Sequence, residues 1–416
     1  MKALLSHPTG NANVRAIANE LARTRKLQGF YTTIASFQGT KTDTASRLPG
    51  LGDLKRRSFD PALRAHTHTH PWFELARIFA GKTRMRSLTA HESGFFSIDK
   101  VYQEMDRYVA RQLPGLIKTD LDVVYAYEDG ALETFSQARK LGITCVYELP
   151  IAFWKTGRRL LEEEAIRLPE WSGTLAGGIS DSGQKLERKS MELELADVVV
   201  TPGSFVADSL NGMITGKKLI VSPFGSPPCH FLNQKSTRPG RALRVLFAGT
   251  LSQRKGLADL LQAIKILNTN KIELVIMGSL VLDLSFYRKQ HPGFTYEPTR
   301  PHADVLRLMR TCDVLCLPSI VEGRALVIQE AMTQGLPVII TANTGGKDLI
   351  IEGKTGFEVP IRCPEAIADR LHWFLDHRNR LEEMGEHAQR HAASYSWTVY
   401  AHNIITGIEE TLANKS

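Results

Sequence analysis

Two glutamates, Glu322 and Glu330, stand eight positions apart in the stretch Pro318-Ser-Ile-Val-Glu-Gly-Arg-Ala-Leu-Val-Ile-Gln-Glu-Ala-Met332. Further upstream the loop Gly249-Thr-Leu-Ser-Gln-Arg-Lys-Gly256 carries Arg254 and Lys255 to the start of a helical pattern. A carboxylate accepts hydrogen bonds from two vicinal hydroxyls. Unpaired N–H groups at a helix start, expected here on Gly323, Arg324 and Ala325, favour negative charge. Two cations near such a place suit a diphosphate on which charge builds as a bond breaks. These residue types point to a sugar-nucleotide ligand. Taken singly, each has a plainer reading: a glutamate pair is usually a solvated helix face, and an Arg-Lys pair is usually surface charge. Their occurrence in one sheet is what raises the pair above that reading.

The elements that must position them follow from the apolar pattern. A buried-type run ends at Pro318, and a helix is expected over 325–334, stopped by Gly335 and Pro337. Around it strands are expected at 245–247, 273–277, 313–317 and 338–341, with helices at 257–267 and 304–310 between them. Such alternation predicts a parallel, doubly wound sheet, whose ligands bind beyond the carboxyl ends of its strands. The first half alternates too, with strands expected at 2–6, 30–37, 120–127, 143–149, 197–201 and 218–223. At 416 residues the chain exceeds one ordinary core. The expectation is therefore α/β: two Rossmann-like domains, 1–228 and 242–396, facing a central cleft. A polar linker is expected at 229–241, and a last amphipathic helix, within 397–416, packing back on the first domain.

In the first half the turn His7-Pro-Thr-Gly-Asn-Ala-Asn13 joins a strand to a helix, and Gly10 and Asn11 let backbone approach a ligand. Residues 40–118 show interrupted helical pattern only. Within them His66, His68 and His70 alternate; on a strand they would share a face fit for metal, but no carboxylate or cysteine completes a set. Asp120-Leu-Asp122 precedes its strand and so flanks a core element. The five cysteines (145, 229, 312, 316 and 363) lack metal spacing and are expected as reduced thiols of a cytoplasmic protein. No apolar run reaches the roughly 18 residues of a membrane helix, and nothing near Met1 reads as a signal peptide. Residues 1–118 carry 19 Lys and Arg against 9 Asp and Glu, while the remainder has 33 against 35. This basic excess suits an anionic partner, and with no nucleic-acid motif beside it the expectation is a membrane surface or anionic glycan.

In order and spacing, the second half resembles the retaining glycosyltransferases of the GT-B fold, in the large group-1 family (family 4). The carriers are Phe247–Gly256, Val275-Ile-Met-Gly278, Asp313–Ser319, Glu322 and Glu330 as the E-x7-E, Gly335-Leu-Pro-Val338, Gly345-Gly346 and Thr355-Gly-Phe357. The first half matches more weakly, through the His7–Asn13 turn and Glu192–Asp197. The resemblance implies Glu330 on the donor's ribose and Glu322 at the donor sugar, with Gly323, Arg324, Ala325 and Leu326 offering backbone N–H groups. It implies Lys255 and Arg254 on the diphosphate, Gly249 and Thr250 lining the donor loop, and the Gly10–Asn11 turn across the cleft near phosphate and acceptor. The donor would be a UDP- or GDP-linked sugar and the acceptor a glycan or lipid-linked molecule, with no cofactor and no metal required. Three departures stand out. Thr250 replaces an arginine common after Gly249, with Arg254 available as its substitute; Arg324-Ala325 replaces an aromatic-Gly pair, a change expected to favour an acidic or phosphorylated ligand; and the usual first-domain histidine after a strand is missing. Glu148, Asp129 and His7 are the residues available for its place. The alternatives are a binding-only pseudo-transferase and a nucleotide-sugar epimerase of the same fold.

Overall fold

The computed structural model describes residues 1–46, 52–116, 120–228 and 240–414. Seven strands form the first sheet: β1 Ala3–Ser6, β2 Leu27–Thr32, β3 Thr67–Thr69, β4 Val123–Tyr127, β5 Thr144–Glu148, β6 Val198–Thr201 and β7 Lys218–Val221. Six form the second: β8 Leu243–Ala248, β9 Ile272–Met277, β10 Phe294–Glu297, β11 Val314–Leu317, β12 Val338–Ile340 and β13 Gly356–Glu358. The orders are β3-β2-β1-β4-β5-β6-β7 and β10-β9-β8-β11-β12-β13, and the neighbours run parallel. In each sheet the order reverses at one pair, β1/β4 and β8/β11. There the loops after adjacent strands diverge and leave a crevice. The Gly10 turn follows β1, the Arg254–Lys255 loop follows β8, and Glu322 follows β11.

The strands are apolar on both faces because helices cover both. Val123-Val-Tyr-Ala-Tyr127 is buried throughout, as is Val314-Leu-Cys-Leu317. The helices that matter below are α1 Ala12–Arg23, α2 Trp72–Lys82, α3 Ile98–Leu116, α4 Leu132–Lys140, α5 Trp154–Arg167, α6 Gly183–Leu195, α7 Leu257–Leu267, α8 Leu326–Thr333 and α9 Trp397–Ala413. α9 lies against the first sheet: Tyr400, Ile404, Ile405 and Ile408 share a core with Val14, Ile17 and Leu21 of α1. Burying such side chains contributes roughly 1.5–3 kcal/mol each, an upper figure for an already compact unfolded chain.

Several expectations shift. The second strand is Leu27–Thr32, not 30–37, because β1 pairs with it from Ala3↔Leu27 onward. The helix expected from 325 begins at Leu326. In the ill-patterned 40–118 stretch, β3 adds an edge strand beside β2, with His68 opposite Tyr31. His68 stacks on Tyr31 at 4.6 Å and His70 on Tyr108 at 4.4 Å, so two of the three histidines serve as flat packing surfaces. Asp122 accepts from the Lys2 N–H at 2.6 Å and so flanks β1 and β4. Cys145, Cys312 and Cys316 are buried. Cys229 and residues 229–239 of the expected linker lie outside the described residues. Helix α5, for which no element is expected from the sequence, follows β5 and bonds the second half through Arg167–Asp259 and Glu164–Arg362.

Candidate functional site

The loops after β8 and β11 are fastened together before any side chain acts. Gly256 takes φ +72, and a Cβ there would lie 1.9 Å from the Pro318 carbonyl oxygen, so only glycine fits. The Arg254 carbonyl accepts from the N–H groups of Ile320 at 2.9 Å and Val321 at 3.3 Å. This pairing sets Arg254 Nη1 at 2.7 Å and Lys255 Nζ at 2.5 Å from the same Glu322 oxygen, Oε1. The Lys255 stem passes alongside Gly249. Burial pulls the Lys255 ammonium below its ordinary range, while Glu322 pulls the other way. Two cations against one carboxylate leave a positive surplus at the carboxyl edge of the sheet, where an incoming diphosphate would be neutralised.

Glutamate 322 is followed by a tight backbone crossing. A Cβ on Gly323 would stand 1.6 Å from the Pro150 carbonyl oxygen, so glycine there lets the two halves touch. Two expectations for this segment are corrected. The Ala325 N–H is not unpaired: it donates to the Thr344 carbonyl at 3.1 Å, because Ala325 only precedes the helix. The Arg324 side chain is no ligand group either. Its guanidinium is fully buried and donates to both oxygens of Asp348 at 2.7 and 3.0 Å, to the Gly345 carbonyl at 3.0 Å and to Gln329 at 2.8 Å. It holds the Gly345 turn in place. Leu326 lines a cavity shared with the first domain. Glu330, one turn further along α8, stands apart from the Glu322 trio and is 3.1 Å from His302 Nε2. Thr250 accepts from Ser279 at 3.3 Å and, with Arg254 and Val321, lines a cavity of about 470 Å³ whose other wall is Ile151, Trp154 and Lys189.

Across the cleft the turn after β1 is built on His7. Its Nδ1 accepts from the N–H groups of Thr9 and Gly10, both at 3.0 Å, which assigns the ring proton to Nε2. The ring packs edge-on against Tyr127 at 4.8 Å, and burial, aided by Arg57, pushes its pKa down to about 3. His7, Asn11, Asp129, Leu326 and Trp397 line a cavity of about 450 Å³. Gly10, at φ +67, sits against the Phe59 ring and opens on a different cavity, described below. Asp129 also has positive φ, at 71°; its Oδ2 is 3.8 Å from Lys189 and its Oδ1 is buried without a hydrogen bond.

Glu148 does not belong to this wall. It is 1% exposed, and its carboxylate accepts from Asn13 at 2.7 Å, Tyr125 at 2.6 Å and Tyr400 at 2.8 Å. These neutral donors, from α1, β4 and α9, make it a hub of the core. Burial raises its pKa.

Two further arrangements join residues far apart in the chain. Gln253 donates to Glu164 and Asp259, each at 2.8 Å, and Arg167 bonds both acids. Arg362 joins Glu164 as well. Helix α5 of one half is thereby bolted to the loop that carries Arg254 and Lys255. Glu192, within the 192–197 run, accepts from the N–H groups of Asp129, Ala131 and Leu132 at 2.9, 3.1 and 3.3 Å and so fixes the turn after β4.

Two parallel sheets with their crevices face to face define the GT-B architecture. Solved proteins of that fold superpose on the chain. Sucrose-phosphate synthase from Thermosynechococcus elongatus matches with TM-score 0.66 at 15% identity over 100% of both chains. Anabaena HepE in complex with UDP matches with TM-score 0.60 at 15% identity, over 99% of this chain and 100% of that one. Residues 230–391, in the second half of the chain, match the model of the glycosyl transferases group 1. A D-inositol 3-phosphate glycosyltransferase of Corynebacterium urealyticum is 25% identical over 339 residues, 71% of this chain and 78% of the relative. One from Corynebacterium glutamicum is 35% identical over 118 residues, and that match spans only 28% of either chain.

Proposed function

We propose that this chain is a retaining glycosyltransferase of family 4. It moves a sugar from a UDP- or GDP-linked donor to a glycan or lipid-linked acceptor in polysaccharide or glycoconjugate biosynthesis. The observation that carries this reading is the Glu322 carboxylate held by Arg254 and Lys255 at the β8/β11 switch point. In this reading the bond between the sugar's anomeric carbon and the phosphate oxygen breaks. Lys255 and Arg254 take up the charge that develops on the diphosphate. The acceptor hydroxyl forms the new bond on the same face and gives its proton to the departing phosphate oxygen, so no covalent intermediate is needed. Glu322 faces the sugar, and Glu330 exchanges His302 for the ribose hydroxyls. The two cations do the work for which other transferases use a metal, so transfer is expected to survive a chelator.

The test is a panel of UDP- and GDP-sugars, with transfer or slow hydrolysis measured by released nucleotide and product configuration by NMR. Nucleotide binding without turnover would favour a binding-only protein, and the absence of both would end this reading. Glu330→Ala is expected to weaken nucleotide binding by roughly 1.5–3 kcal/mol, and unchanged affinity by calorimetry would remove Glu330 from the site.

Peripheral attachment to an anionic, cytoplasmic membrane face is part of the same reading. Trp72, Leu75 and Phe79 are exposed along one stripe of α2, followed by exposed Lys82, Arg84 and Arg86. Among the described residues no helix is long and apolar enough to cross a membrane. Sedimentation with anionic vesicles that persists unchanged in a Trp72→Ser, Phe79→Ser variant would count against it.

A further inference from the structure

The Gly10 turn has a second cavity on its outer side. About 740 Å³ in volume, it lies between the turn, the segment around Arg56 and helix α2. Its lining carries five cations, Arg15, Arg56, Arg57, Arg77 and Lys82, against one carboxylate, Glu74. That carboxylate is already engaged. Fully buried, it bonds Arg57 and takes Arg77 Nε at 2.7 Å and Nη2 at 2.9 Å. It therefore acts as a bracket that aligns two guanidiniums on the cavity wall, with Arg15 and Arg56 beside them. Arg15 is fixed as well: it donates to the Gly10 carbonyl at 2.7 Å and the Arg56 carbonyl at 2.6 Å and lies 4.3 Å over the Phe59 ring. Gathering like charges on fixed supports is unfavourable until an anion arrives, and planar guanidiniums match the oxygens of a phosphate. The cavity is also not isolated. Asn11 and Ala12 line both it and the cavity of His7, Asp129 and Leu326, so one molecule can occupy the two.

We propose that this cavity binds a phosphate group carried by the acceptor, whose reacting hydroxyl lies on the other side of Asn11. The proposal rests on the glycosyl-transfer reading for the word acceptor, and on the cavity alone for the phosphate. The phosphate can belong to a soluble sugar phosphate or to a polyprenyl phosphate, since both present the same group.

Calorimetry tests the phosphate part directly. The full chain, first saturated with UDP or GDP to fill the Arg254–Lys255 site, is titrated with inorganic phosphate and with pyrophosphate. Binding is expected in the wild type and in Lys255→Ala, and at least tenfold weaker in Arg56→Ala. Arg56 is exposed at the rim and its side chain makes no hydrogen bond or ion pair among the described residues, so this variant is expected to fold; Arg56→Lys should keep most of the affinity. Wild-type affinity in both Arg56→Ala and Arg77→Gln would overturn the proposal. Failure of the nucleotides to bind would count against the glycosyl-transfer reading and leave the phosphate result standing. With an active donor, phosphorylated sugars, their dephosphorylated counterparts and a short polyprenyl phosphate in detergent are then compared. Use of the sugar phosphates assigns a soluble acceptor, and use of the polyprenyl phosphate alone a lipid one. Equal use of the neutral sugars, with KM unmoved by Arg56→Ala, would overturn the proposal.

Discussion

Glu148 and Glu322 occupy comparable places, each at the carboxyl edge of a parallel sheet and each deeply set. Glu148 ends β5 and is met by an amide and two phenols, all neutral and all from the surrounding core. Glu322 follows β11 and is met by an ammonium and a guanidinium, with Arg254 still 30% exposed. The first environment satisfies the carboxylate and seals it. The second leaves a net charge facing a cleft, and neutralising that charge is work for a ligand. Position in the sheet is thus no guide to role, whereas the charge and accessibility of the partners are.

The contrast can be broken at either end. Lys255→Ala is expected to have the largest effect, lowering turnover by about 10²–10³-fold, the loss typical when one group that stabilises developing charge is removed. Its thermal midpoint should stay near that of the wild type. Glu148→Ala should do the reverse: about 3 kcal/mol of stability is lost as Asn13, Tyr125 and Tyr400 lose their acceptor, with turnover per folded molecule retained. Reduced turnover in a Glu148→Ala protein of undiminished stability would end the distinction drawn above. His7 sharpens it on the first-domain side. Because burial depresses its pKa from 6.5 to about 3, the folded state keeps it neutral while the unfolded chain takes up a proton. The stability it supports is complete above pH 6.5 and drains away as pH falls towards 3. The loss is about 2 kcal/mol at pH 5, from proton uptake by the unfolded chain. Urea midpoints of His7→Gln, which keeps an acceptor for the Thr9 and Gly10 N–H groups, should therefore depend less on pH than those of the wild type.

How legible each region is in the sequence follows from how local its contacts are. Arg254 and Lys255 sit in one short loop between a strand and a helix, and Glu322 and Glu330 bracket the next such junction, so adjacency along the chain signals adjacency in space. Nothing comparable marks Glu148, whose partners lie at 13, 125 and 400. Arg324 misleads for the same reason: between two site glutamates it looks like a ligand group, yet its counter-charge, Asp348, is 24 residues further on. In the 40–118 stretch the three-residue β3 is too short to show alternation, and the Arg57–Glu74–Arg77 bracket joins two segments with a strand between them. The doubly wound sheets themselves were plain, because strands buried on both faces read as unbroken apolar runs.

The return of α9 to the first sheet has a consequence for how the protein is made. Tyr400, the donor that completes the Glu148 hub, lies 252 residues beyond it. During synthesis the first sheet leaves the ribosome with this acid lacking one of its partners and with the α1 face that α9 covers still bare. The second sheet, from Leu243 to Glu358, is translated in the interval. The domain that emerges first is therefore the last to be completed, and its exposed apolar face through that interval is a natural target for a chaperone.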